Sequence, residues 1–155
     1  MKSPSRCRSP WNNLRFTSNG FLLLDACSKL GTKREAPDTG SLQGDLALLA
    51  ADLANRLRTA NRASVLPSIV DAAERDVELA GMHARRHAEL IAAFRTAVTR
   101  AQERGEIARG RGATDVVAAV IGPLFYRRWF SREPLDERFV RGVVENVMTG
   151  LAGKR

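Results

Sequence analysis

Apolar residues recur along this chain at steps of three and four, the spacing that lines one face of an α-helix. The clearest stripe is Leu42, Leu46, Leu49, Leu53 and Leu57, with Gln43, Asp52, Asn55 and Arg56 lying off it. Ser41 stands ahead as a capping hydroxyl, so a helix is predicted over 41–58. The polar run Arg58–Arg62 breaks the pattern. A short helix over 64–73 follows, with Leu66, Ile69, Val70 and Ala73 on one side and Pro67 tolerable only in its first turn. Asp76 caps the longest predicted helix, 76–104, which Gly105 stops. Its stripe is Leu79, Met82, His87, Leu90, Ile91, Phe94, Val98 and Ala101.

Thr114 and Asp115 open a further helix, running to about residue 130, with Val117, Val120, Ile121, Leu124 and Phe125 apolar. Gly122-Pro123 inside it removes a backbone hydrogen bond and bends the axis. After a turn marked by Pro134, Asp136 caps the last helix, 136–152. Leu135, Phe139, Val140, Val143, Val144, Val147, Met148 and Leu151 are its apolar positions. That face is wider than one neighbouring helix covers, and its four valines are stiff and pack flat. It suggests burial against a second subunit. The dimer-interface candidates are Leu124, Trp129, Phe139, Val143, Val144, Val147, Met148 and Leu151. No stretch alternates with the period of a strand, so the fold class is all-α, a bundle of about five to six helices.

The N-terminal part reads differently. Residues 1–17 are polar and basic with Pro4 and Pro10, and are predicted to be irregular. Ser18 or Asn19 caps a short helix that Gly31 ends, and Thr32–Pro37 reads as linker, leaving 38–153 as the main domain. Charge follows the same division. Of the net +8, residues 1–35 carry +5 and the remainder only +3. A basic tail of this kind holds nucleic acid weakly and without sequence preference, or is simply solvated.

Cys7 and Cys27 make no disulfide framework, which favours a reducing cytoplasm. No apolar run approaches the roughly 18 residues of a membrane span. Phe21–Leu24 before Cys27 faintly imitates a lipoprotein signal, but it is too short and Asp25 interrupts it.

Candidate chemistry is sparse. No nucleophile–base pair, paired carboxylates or glycine-rich phosphate loop is visible, so no enzyme and no cofactor are expected. His83 and His87 have a metal-compatible i, i+4 spacing, yet Arg85 and Arg86 between them repel a cation and no carboxylate cluster accompanies them. A small helical enzyme or metal protein using this pair is the alternative from another class. Phe94, Phe125, Tyr126 and Trp129 fill a core or line a cavity. His87, Phe94, Phe125 and Tyr126 are the ligand-pocket candidates, Tyr126 because a buried hydroxyl needs a partner. Arg127, Arg128 and Arg132 form a solvated face or pair with Glu133 and Asp136.

Four short motifs, in order, carry a resemblance. They are Thr39-Gly-Ser-Leu-Gln-Gly-Asp-Leu46, Ala73-Glu-Arg-Asp-Val-Glu-Leu79, Arg104-Gly-Glu-Ile107, and Gly122-Pro-Leu-Phe-Tyr126 with Glu133-Pro-Leu-Asp136. Over about 38–153 the chain resembles the C-terminal regulatory domain of tetracycline-repressor-type (TetR) transcription regulators. The resemblance implies a homodimer joined through the last two helices, a site for a small apolar effector, and no membrane. In that family a helix-turn-helix head precedes the body. Arg15, Phe16, Ser18 and Leu22 match the end of the head's pattern, whereas Asn13 and Asn19 stand where the family commonly has Tyr and Lys at the DNA backbone. The expectation is a sensing and dimerisation domain with a largely missing head that binds DNA weakly and non-specifically if at all. A complete repressor with a misassigned start is the alternative.

Overall fold

The computed structural model describes residues 35–59 and 66–152. The irregular 1–17 segment, the helix expected over 18–30 and the head-like residues Arg15, Phe16 and Ser18 lie outside the described residues. Among the described residues are five α-helices and no strand: α1 (Leu42–Thr59), α2 (Leu66–Ala73), α3 (Val77–Glu103), α4 (Ala113–Tyr126) and α5 (Glu137–Ala152). A π-helical turn, Arg127–Ser131, prolongs α4. It ends at Arg132, whose φ of 56° is left-handed and reverses the chain towards α5.

The leucine stripe of α1 is the centre of the bundle. Leu42, Leu46, Leu49, Leu53 and Leu57 are all buried, joined by Ala50 and Ala54. Around them close Val116, Val117, Val120, Ile121 and Leu124 of α4, Val140 and Val144 of α5, and the second half of α3. Fully burying each such side chain contributes about 1.5–3 kcal/mol, which makes this face the main source of stability. α1 packs on α3, α4 and α5, while α2 packs on α3.

The helix ends are secured by side chains. Asp76 caps α3 by accepting from the amides of Glu78 and Leu79 at 2.9 and 3.2 Å. At its other end α3 closes with a Schellman turn. The Glu106 amide bonds the Ala101 carbonyl at 2.9 Å and the Gly105 amide bonds Gln102 at 3.2 Å, with Gly105 at φ +78°. Asp136 caps α5 through the Phe139 amide at 2.8 Å. Inside α4, Pro123 has no N–H to give the Ala119 carbonyl, so the helix loses one rung there.

Candidate functional site

The π-helical turn gathers the aromatic side chains. Phe125 meets Trp129 edge-on at 4.9 Å, and Tyr126 stacks on Phe130 at 5.7 Å with a 12° interplanar angle. Tyr126 is 61% exposed and Phe130 75%, so the second pair faces solvent. Arg127, on the same turn, is bracketed by Glu133 and Phe139. Its Nε and Nη2 both donate to Glu133 Oε2, at 2.9 and 2.6 Å, and its guanidinium lies 3.8 Å from the centre of the Phe139 ring. Arg128 donates to the Leu57 carbonyl at 2.9 Å, and Arg58 donates back to the Leu135 carbonyl at 3.0 Å. Arg127 and Arg128, two of the three arginines of the cluster, therefore bond within the fold.

The interface candidates fall into two groups. Leu124, 0% exposed, and Val144, 2%, belong to the chain's own core, and Val143 is also buried. The reason is geometric: on α5, Val140 and Val144 are one turn apart and meet α1, while the flank of the stripe turns outward. Trp129, Phe139, Val147, Met148 and Leu151 are only half-buried, at the edge of that core. Half-buried apolar side chains thus run along α5 and the π turn, with the exposed Tyr126–Phe130 pair at the end of α4. Phe130 escaped the sequence reading although it stands one helical turn after Tyr126. The aromatic run alone did not say which ring would point outward.

The pocket candidates do not converge. Phe94 is in the core, Phe125 is half-buried against Trp129, and Tyr126 and His87 are exposed. His83 and His87 lie face to face at 6.5 Å on α3. Among the described residues no group of three or more His, Cys, Asp or Glu is placed to hold a metal. None of their helices is long and apolar enough to cross a membrane.

An open groove of about 250 Å³ lies elsewhere, between α1 and α5. Its floor is Ala47, Ala51, Ala54, Val140 and Val144, and charged Arg58, Glu137, Arg141 and Glu145 stand along it. The signal was present in the sequence as alanines at positions 47, 51 and 54, beside the leucine stripe. Small residues there let the two helices leave a channel.

A family profile described as "Tetracyclin repressor-like, C-terminal domain" matches residues 36–147. The chain belongs to this family. Among its relatives is the uncharacterized HTH-type transcriptional regulator YdeS of Bacillus subtilis (strain 168), 23% identical over 138 residues, or 88% of this chain and 69% of that protein. The crystal structure of the TetR family transcription regulator SCO0332 superimposes with a TM-score of 0.73 at 24% identity, covering 88% of this chain and 76% of that one. That likeness shows the fold, an all-helical TetR-type body. The aligned share with YdeS exceeds what residues 36–155 supply, so the likeness reaches upstream of residue 36.

Proposed function

We propose that residues 36–152 are the dimerisation and effector-sensing body of a TetR-type transcription regulator, acting in the cytoplasm and catalysing no reaction. The observation that supports the dimer is the exposed, stacked Tyr126–Phe130 pair, together with the half-buried Trp129, Phe139, Val147, Met148 and Leu151 along the last two helical elements. A stacked aromatic pair exposed to water is costly unless a second surface covers it. Two copies related by a twofold axis would bury it against itself. Family membership supports the effector, which we take to be small and apolar. Phe94 and Phe125 remain candidates for contacts that open when the helices part, Tyr126 for the hydroxyl at its edge and His87 for a polar contact at the rim.

Sequence-specific DNA binding is not assigned to this chain. Most of its basic excess lies on residues 1–35, and Asn13 and Asn19 offer amides where a backbone-contacting head would offer a phenol and a cation. The upstream reach of the YdeS likeness supports reading residues 18–35 as the segment that links head to body.

Light scattering coupled to size exclusion tests the dimer. The wild-type chain is expected at twice its 17.0 kDa mass, and Phe130→Glu is expected to give a folded monomer. A wild-type monomer at micromolar concentration would overturn the reading. In DNA titrations at increasing salt, association is expected to be weak and to show the same slope for unrelated sequences; a sequence-dependent affinity would restore the complete-repressor alternative.

A further inference from the structure

Two of the motifs noted in the sequence, Thr39–Leu46 and Arg104–Ile107, meet at one corner of the fold. Asp45 is 0% exposed. Its Oδ1 accepts from the Thr39 amide at 2.7 Å and the Thr39 hydroxyl at 2.8 Å. Thr39 thereby sits directly over Gly44, where an added Cβ would lie 2.3 Å from its hydroxyl oxygen, so only glycine fits. Ser41 completes the cap, accepting from the Gly44 amide at 3.2 Å. The Schellman turn at the end of α3 presents Glu106 to this corner. Its Oε2 accepts the Leu42 amide, the first of α1, at 2.7 Å. A carboxylate 64 residues away in sequence thus caps α1 from outside.

Arg104 stands between the two carboxylates. Its Nε donates to Glu106 Oε1 at 2.5 Å, while its Nη2 stops 3.9 Å from Asp45 Oδ2. That distance is an ion pair without a hydrogen bond. Asp45 Oδ2, buried, has no hydrogen-bond partner among the described residues. Leaving a buried acceptor unsatisfied is destabilising, more so when it is charged. The same arginine lies 3.7 Å from Asp38, and Arg100 reaches the Ala36 and Pro37 carbonyls at 3.4 Å. Residues 36–38 are thus held from the end of α3, by Arg100 and Arg104, while Thr39 is held by Asp45 of α1.

We propose that Arg104 is a two-position latch. It rests on Glu106 in the state described, and it swings onto Asp45 Oδ2 when residues 36–39 tighten against α3. The direction in which the chain runs into the domain is thereby coupled to the end of α3. The guanidinium fork suits both positions, because one nitrogen can leave Glu106 for Asp45 with the charge still paired. Nothing in this device requires an effector or DNA, so its failure would leave the family and dimer readings intact.

Amide-resolved hydrogen exchange on the full chain tests it, because the two positions protect different amides. Glu106→Ala is expected to speed exchange at Leu42 by about tenfold or more, the loss of a charge-assisted bond. It is also expected to slow exchange at Thr39, as Arg104 closes on Asp45. Asp45→Asn is expected to do the reverse: faster exchange at Thr39, with Leu42 unchanged. Val117 and Val120 amides in the core report whether each variant keeps its fold. Should Asp45→Asn loosen the core, Gly44→Ala replaces it: its Cβ would lie 2.3 Å from the Thr39 hydroxyl and displace it, and 3.0 Å from the Ser41 hydroxyl, which can rotate aside. If Thr39 and Leu42 accelerate together in either folded variant, the corner is a single static cap and the latch is refuted.

Discussion

The two halves of α3 follow one apolar stripe yet meet different fates. From Ile91 onward Ile91, Ala93, Phe94, Ala97, Val98 and Ala101 are buried beneath α1 and α4. Before it, Leu79, Met82 and His83 are half-buried, His87 is exposed, and no residue is fully covered. Between the two, Leu90 is half-buried and borders the core. The helix continues because Asp76 caps it and backbone hydrogen bonds propagate cooperatively. The difference lies in neighbours: the C-terminal half has helices on two sides, whereas the N-terminal half packs beside the eight-residue α2. Periodicity states which side of a helix is greasy; it does not state whether anything lies on that side.

Substitutions along the helix sharpen this contrast. Phe94→Ala has the largest expected effect, about 3–5 kcal/mol in urea unfolding, because the surrounding core cannot collapse onto the void. Leu79→Ala removes a comparable side chain from the other half and is expected to cost less than ~2 kcal/mol, since that leucine is already partly in water. Equal losses at the two positions would mean that the N-terminal half is gripped as firmly as the core. Asp76→Ala comes last, at about 0.5–1 kcal/mol in the same unfolding experiment, the price of an exposed cap. A loss as large as that of Phe94→Ala would show that the first turn holds the whole body together.

The groove and the aromatic surface show the same limit on reading a sequence. The apolar face of the last helix was legible, and its width pointed to more than one covering surface. Which valines went inward was not. Val140 and Val144 meet α1 because α5 crosses it at that register, and this leaves Val147, Met148 and Leu151 at the rim. Likewise Arg127, Arg128 and Arg132 read as one basic cluster. Arg127 is held by Glu133 and Phe139, and Arg128 by the end of α1, a carbonyl 71 residues away.

By itself the sequence determined the five helices of the described residues, most of their ends and the family. These depend on spacing within a turn or two, on caps such as Asp76 and Asp136, and on stops such as Gly105, all local along the chain. Tertiary structure decided which apolar positions became core, where a groove stayed open between α1 and α5, and why the Thr39–Leu46 and Arg104–Ile107 motifs exist as a pair. Those outcomes depend on contacts between residues sixty or more positions apart, such as Glu106 with Leu42, and no periodicity encodes a distance that only packing sets.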